Sequence, residues 1–465
     1  MSNVLLIDFG STYTKLTAVN LEQAVVLGSS TAHTTVTTDL NDGLMIAREK
    51  LKAITGDIVY EEQLACSSAA GGLRMAVSGL VPELTAEAAR SAALGAGAKV
   101  VKLYSHELTN SDLAEILTID PEIFLLTGGT DGGNRKVILY NAGRLAASGL
   151  KCPIIYAGNR AAADEAAELL RGHDLTICPN VMPKLGELNI APVQEQIRRL
   201  FLARIVQAKG LSKIEQLISG IMMPTPQAML KAMTLLATGT EHEAGIGDLM
   251  AIDLGGATTD IYSIADGSPT AASTIIKGLP EPYAKRTVEG DIGMRYGLSG
   301  IVDEVGIARL SELSQLDRAE FEHWCQACHD DPSLLPLQQQ IQAFDFALAG
   351  MAVKIATGRH AGKLEEFYTP LGVAYAQTGK DLRNVRTIVA TGGSLIYAPR
   401  LKEILTFALY DPQEPGSLRP ERANFLVDRK YLLSAMGVLS EKDPNTALRI
   451  MKKELIDERS HSQKA

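Results

Sequence analysis

The chain has 465 residues, 46% of them hydrophobic, 21% charged and 5% aromatic, and 54 acidic against 45 basic side chains leave a net charge of −9. That length exceeds one ordinary hydrophobic core and suits two to four units. The acidic balance argues against a nucleic-acid footprint, no apolar run approaches the roughly 18 to 20 residues that cross a bilayer, and five cysteines are too few for a disulfide framework.

The first residues run directly into a strand without a basic leader, so the expected compartment is the cytoplasm. Three short strands are expected near residues 4–8, 14–20 and 24–28, then a helix near 42–54. Strand and helix signals alternate from there to residue 178, which points to an α/β architecture with mostly parallel sheet. A proline- and glycine-rich crossing over 179–192 leads into a helix near 193–209 with basic and apolar faces. Residues 239–247 mark the best domain boundary. After it a hairpin pattern restarts over 249–254, 258–265 and 270–277, followed by a mainly helical stretch from 283 to 361. A strand over 386–390, a helix over 398–409 and a terminal helix over 445–459 complete the reading.

Two glycine-rich turns stand out. The first is Leu5-Leu6-Ile7-Asp8-Phe9-Gly10-Ser11-Thr12-Tyr13-Thr14-Lys15, and the second is Ala251-Ile252-Asp253-Leu254-Gly255-Gly256-Ala257-Thr258-Thr259-Asp260. In each, a buried-strand pattern ends at Asp-x-Gly and resumes after small hydroxylated residues. Glycine lets the backbone approach a phosphate and aim N–H groups at it, and the adjacent carboxylate suits a divalent cation shared with that phosphate. The bland reading of each aspartate is an ordinary turn in which its side chain caps backbone N–H groups. Asp260 equally fits a role in structuring the second strand.

The chain also reads as an internal repeat. Asp8-Phe9-Gly10 is followed by Leu126-Thr127-Gly128-Gly129-Thr130, and Asp253-Leu254-Gly255 by Ala390-Thr391-Gly392-Gly393-Ser394. Two halves built alike with a cleft between them is the economical expectation. Gly128, Gly129, Asp131, Gly132, Gly133 and Asn134 form an anion nest, a close interdomain contact, or the first half's counterpart of the Thr391-Gly392-Gly393 turn. Cys325-Gln326-Ala327-Cys328-His329 matches a haem-attachment pattern and half of a zinc site, but reads more simply as one face of a charged helix.

Asp8-x-Gly10-Ser11-Thr12-x-x-Lys15, Asp253-x-Gly255-Gly256-x-Thr258-Thr259-Asp260 and Thr391-Gly392-Gly393-Ser394 resemble the phosphate 1, phosphate 2 and adenosine motifs of the actin/Hsp70/sugar-kinase superfamily. More narrowly, Leu125 to Asn134 and Ala157-Gly158-Asn159 resemble the glutamate mutase L protein family (GlmL or MutL, unrelated to the mismatch-repair protein of that name) over residues 3–440. The resemblance implies a two-lobed actin-like ATPase fold made of two duplicated ribonuclease H-like halves, with a nucleotide cleft between them. The first lobe would span residues 1–240, the second 241–440, and a helix and frayed tail 441–465. It implies ATP and Mg²⁺ as cofactors, with Asp8 and Asp253 as metal and catalytic carboxylates. Gly10, Ser11, Thr12, Lys15, Gly255, Gly256, Thr258, Thr259, Gly392, Gly393 and Ser394 would contact the nucleotide. The implied role is an accessory, chaperone-like protein that reactivates an adenosylcobalamin-dependent mutase, binding neither nucleic acid nor membrane. Rival readings within the same fold are a small-molecule kinase, a hydantoinase-like ATP-dependent amidohydrolase and a filament-forming actin relative.

Overall fold

A computed structural model describes residues 2–10, 13–34, 40–68, 73–208, 221–270, 274–370 and 372–457. Ser11 and Thr12 lie outside the described residues, as does the end of the expected terminal helix. The chain divides into two units: Met1–Ala232, Gly278–Pro280 and Ser434–Ile450 form the first, and Met233–Lys277, Glu281–Leu433 and Met451–Ala465 the second. Among the described residues no helix is long and apolar enough to cross a membrane.

Every residue from Val4 to Phe9 is buried in β1 (Asn3–Phe9), as a central strand covered on both faces requires. β1 pairs antiparallel with β2 (Tyr13–Asn20), which pairs antiparallel with β3 (Val25–His33). After α1 (Leu40–Thr55), β4 (Glu62–Ser67) lies parallel to β1 on its other side. The order is completed much later by β10 (Ile221–Pro224), giving β10-β4-β1-β2-β3.

Between β4 and β10 the chain builds a second sheet. β5 (Arg74–Gly79), α2 (Glu87–Gly95), β6 (Lys99–Ser105), α3 (Asn110–Ile119), β7 (Ile123–Leu126), α4 (Lys136–Ala147), β8 (Ile154–Tyr156), α5 (Ala163–Leu169) and β9 (Leu175–Ile177) alternate as the sequence suggests. All five strands are parallel in the order β6-β5-β7-β8-β9. Met75, Val77 and Leu125 share a core with Leu5, Ile7 and the alanines of α2, whereas Ala76, Phe124 and Leu126 pack beneath α4 with Ile138 and Ala142. Helices therefore cover both faces, the doubly wound arrangement. α6 (Ala191–Ala208) leads back to β10, and α7 (Thr225–Thr238) begins in the first unit and ends in the second.

The second unit repeats the first sheet. β11 (Leu249–Leu254) pairs antiparallel with β12 (Thr259–Ile264), and β12 antiparallel with β14 (Ala284–Glu289). The intervening β13 (Thr274–Lys277) belongs elsewhere. Helices α8 (Leu298–Val305), α9 (Ile307–Ser314), α10 (Arg318–Asp330) and α11 (Gln339–His360) fill the expected helical stretch from residue 298 on, its first part being β14 instead. β15 (Lys363–Thr369) and β16 (Gly372–Thr378) then form a hairpin that joins β13 in a three-stranded sheet. β17 (Thr387–Thr391), α12 (Gly393–Ile396), α13 (Leu401–Thr406) and β18 (Asn424–Val427) complete the main sheet in the order β14-β12-β11-β17-β18, to which β19 (Ile456–Asp457) adds an edge. α14 (Leu433–Leu439) and α15 (Pro444–Glu454) close the chain. Three antiparallel strands followed by two parallel ones on the other side of the first occur in both units, which is the expected duplication of ribonuclease H-like halves.

Two expectations need correction. The third strand of the main sheet in the second unit is β14, not residues 270–277; its Lys285 and Arg286 have acidic partners in Glu281 and Asp260. The Thr127-Gly128-Gly129 turn is not the counterpart of Thr391-Gly392-Gly393, because β7 lies in the inserted sheet. In register with Asp8 is Cys66 of β4, as Thr391 of β17 is with Asp253.

Candidate functional site

In the first unit, Asp8 is the penultimate residue of β1, with only 3% of its surface exposed. Gly10 N–H closes the turn on Tyr13 O at 3.1 Å, and Lys15 faces Asp8 across the hairpin, its Nζ 3.9 Å from Oδ2. Three further groups surround the carboxylate. Thr225, at the start of α7, donates its hydroxyl to Oδ1 at 2.7 Å; Ser434 of α14 donates to Oδ2 at 2.9 Å; the Cys66 thiol lies 3.5 Å from Oδ1. Burial and then the nearby Asp8 charge push the Cys66 thiol up, so it stays protonated and serves as a donor. A buried carboxylate needs such partners, because an uncompensated charge away from water is very costly.

In the second unit, Gly255 N–H closes the equivalent turn on Thr258 O at 3.0 Å. Residues 293–297 buttress this turn: Met294 N–H bonds Gly255 O at 3.1 Å, and Arg295 and Tyr296 N–H bond Gly256 O at 2.8 Å. Opposite Asp253 stands Asp260 rather than a lysine. Asp260 is occupied by Arg286, whose Nε donates at 2.8 Å in a buried pair, and by the Thr258 hydroxyl at 3.3 Å. Thr259 is fully buried and donates its hydroxyl to Ile292 O at 2.8 Å. Asp260 and the Thr259 side chain thus hold the hairpin to its neighbours.

The Thr391-Gly392-Gly393 turn meets this hairpin directly. Gly392 adopts φ +87, and a Cβ there would stand 2.7 Å from Asp253 Oδ1 and collide with Leu254 O. Only glycine admits that approach. Thr391 donates its hydroxyl to Asp428 at 3.3 Å, and Asp428 also accepts Leu432 N–H at 2.8 Å and Leu433 N–H at 3.2 Å. Asp253, Gly255, Gly256, Gly392, Gly393 and Ser394 thus gather at the carboxyl ends of β11 and β17, where open α/β sheets bind ligands. Thr225, Ser434, Asp428 and Tyr431 had escaped sequence reasoning. The one local signal was an Asp directly after the apolar run of β18.

The Gly128–Asn134 loop is braced from within. Asn159, fully buried, accepts Gly132 N–H at 3.1 Å and Ala161 N–H at 2.9 Å, and donates to Gly133 O and Asn134 O at 3.1 Å. Asn180 donates to Gly129 O and to Asp131 Oδ1, each at 2.9 Å. Its glycines therefore meet a packing demand inside the inserted sheet. In α10, Cys328 is buried in the core and Cys325 packs against it, its thiol pushed up to about 11 by burial, and no metal-holding cluster of three or more His, Cys, Asp or Glu occurs among the described residues.

A second buried polar cluster sits toward the other end of β12. His360 Nε2 lies 2.8 Å from Ser263 Oγ and its Nδ1 2.8 Å from Thr287 Oγ1. Lys380, also fully buried, donates to Tyr283 O at 2.6 Å and lies 3.5 Å from Ser263 O and Oγ. Burial, then the charge of Lys285, brings Lys380 down to about 7 and His360 well below its ordinary value.

Comparison with known proteins places the chain in a family. The MutL protein family model matches residues 4–455. A relative described as "Protein MutL" from Clostridium tetanomorphum is 46% identical over 460 residues, covering 98% of this chain and all of that one. Among solved structures, the activator of the 2-hydroxyisocaproyl-CoA dehydratase from Clostridium difficile with bound ADPNP is similar at 10% identity and a TM-score of 0.33, covering 100% of this chain and 98% of that one. A ligand-bound xylulose kinase from Lactobacillus acidophilus gives 10% identity and 0.36, over 98% and 93%. The chain belongs to the MutL protein family.

Proposed function

We propose that this protein is an ATP-binding accessory protein for an adenosylcobalamin-dependent mutase of the glutamate mutase type, reactivating the enzyme through nucleotide-dependent closure. The observation that carries the reading is the meeting of Asp253, the Gly255-Gly256 turn and Gly392 at the carboxyl ends of β11 and β17. Backbone approach without side chains, next to a carboxylate, suits phosphate and its cation.

Mg²⁺ is held by one or two carboxylates together with substrate phosphates and water rather than by an all-protein cage. Asp253, half-buried at its turn, fits that role as a single carboxylate. Asp8, each of whose oxygens already accepts one hydroxyl, would act on the cation through a metal-bound water. Its further role is to fix the first hairpin and to orient Lys15 toward a phosphate. When bound, Mg²⁺ would screen the phosphate charge and polarise the bond to the terminal phosphoryl group.

A nucleotide shifts a conformational equilibrium only through contacts that differ between the two states. Loss of the terminal phosphate would remove the contacts it makes at a hairpin turn, which would change closure. The test is ATP-dependent rescue of inactivated mutase by wild-type, Asp253→Ala and Asp8→Ala proteins. Loss of rescue with both variants is expected, and unchanged rescue with both would sink the mechanism.

A further inference from the structure

We propose that the Leu335-Pro336-Leu337 loop of the second unit is the anchor by which this protein docks on the mutase, seated in an apolar groove rimmed by lysine or arginine, and that the Gly255-Gly256 turn sets its position through Arg295. The inference rests on the accessory role proposed above. Leu335 is 64% exposed and Leu337 83%, although Leu334 beside them packs on the core. One exposed leucine is ordinary. Two are held out here on a loop that is braced along its length. Leu334 N–H bonds Asp331 O at 3.1 Å, Leu337 N–H bonds Leu335 O at 2.8 Å, and Gln342 of α11 donates to Pro336 O at 3.1 Å. Apolar anchors fixed in advance lose little entropy on docking.

The charges beside the leucines define the partner's rim. Asp330 and Asp331 are exposed where α10 ends, and their carboxylates accept from Gln326 and Ser333. Among the described residues no lysine or arginine pairs with either. Such a surface repels an acidic groove and steers a basic one onto itself. Arg295 connects the same loop to the phosphate turn. Its backbone N–H bonds Gly256 O at 2.8 Å, whereas its guanidinium donates to Leu334 O at 3.0 Å. The guanidinium also grips both carboxylate oxygens of Asp345 in α11, each at 2.9 Å, and a bidentate pair fixes orientation. A phosphate that shifts the Gly255-Gly256 turn therefore shifts Leu334, and the two leucines with it.

The test measures the affinity of the purified mutase for the full-length protein, with and without ATP and Mg²⁺, and ATP binding to the same proteins by calorimetry. Leu335→Ser together with Leu337→Ser should weaken the mutase about tenfold or more and leave ATP affinity unchanged. Both side chains are too exposed for their loss to unfold the protein. In wild type, ATP should change mutase affinity about fivefold or more. Arg295→Met together with Asp345→Leu removes the tie without stranding a buried charge, and should keep mutase binding while abolishing that response. Unchanged mutase affinity in the leucine variant overturns the anchor. A response to ATP that persists in the Arg295 variant, or that wild type lacks, overturns the control by the turn. Wild-type protein that binds ATP but never the mutase overturns the accessory role as well.

Discussion

Ser434 holds Asp8 from the far end of the sequence: its hydroxyl donates to Oδ2 at 2.9 Å, opposite the 2.7 Å bond from Thr225 to Oδ1. Asp8, a candidate metal and catalytic carboxylate in the sequence, is a buried charge that depends on donors from α7 and α14. A hydrogen bond to a charged group contributes about 1.5–3 kcal/mol, more than a neutral pair.

Ser434→Ala and Thr225→Val should each lower the stability of the first unit by about 2 kcal/mol. On an Asp8→Asn background the same substitutions should cost distinctly less, since the charge they serve is gone. Urea unfolding of the four-member cycle checks this. Strict additivity would show that the hydroxyls act on something other than the carboxylate.

Gly392→Ala places a methyl group against Leu254 O and Asp253 Oδ1 in a backbone conformation that alanine resists. Displacing the turn should cost about 2–4 kcal/mol and abolish nucleotide binding. Gly393→Ala meets only the end of the Tyr431 side chain, so its stability should stay near wild type while base affinity falls. Thermal unfolding with and without ATP separates the two.

The Lys380–His360 cluster gives a pH dependence with a definite sign. Both groups are bases whose folded values are depressed, so the unfolded chain takes up protons that the folded one refuses. Lys380, at about 7 against 10.5, should make stability climb as pH rises from about 7 toward 10.5. His360 adds a further climb as pH rises toward 6.5, the ordinary value. Lys380→Met should flatten the upper slope and His360→Gln the lower one, read as melting temperature against pH for each variant relative to wild type. An unchanged upper slope in Lys380→Met would mean that its three oxygen acceptors keep the amine charged in the folded protein.

The two hairpins were legible because Asp-x-Gly after an apolar run is local: one turn, few residues, one backbone demand. The Gly392 turn was legible for the same reason. The repeat was half legible, since Thr127-Gly128-Gly129 and Thr391-Gly392-Gly393 share letters but meet different demands. The first is tied down by Asn159 and Asn180, the second lies against Asp253. β14 was missed because the charge of Arg286 is neutralised by Asp260 on the neighbouring strand, which no periodicity reveals. Thr259 was expected at the phosphate, and its hydroxyl bonds Ile292 O in the segment after β14. Tertiary partners decided each of these.

The return of Ser434–Ile450 to the first unit bears on how the chain must fold. Gly437 lies flush against the backbone of Ala228, and Glu441 pairs with Lys231. A ribosome that has released only the amino-terminal half has therefore not yet made all of its core, and Asp8 waits for a hydroxyl that is synthesised near the end. Vectorial folding of this half first, the usual habit of multidomain chains, is closed to it. A fragment ending before α14 should aggregate where the intact polypeptide does not.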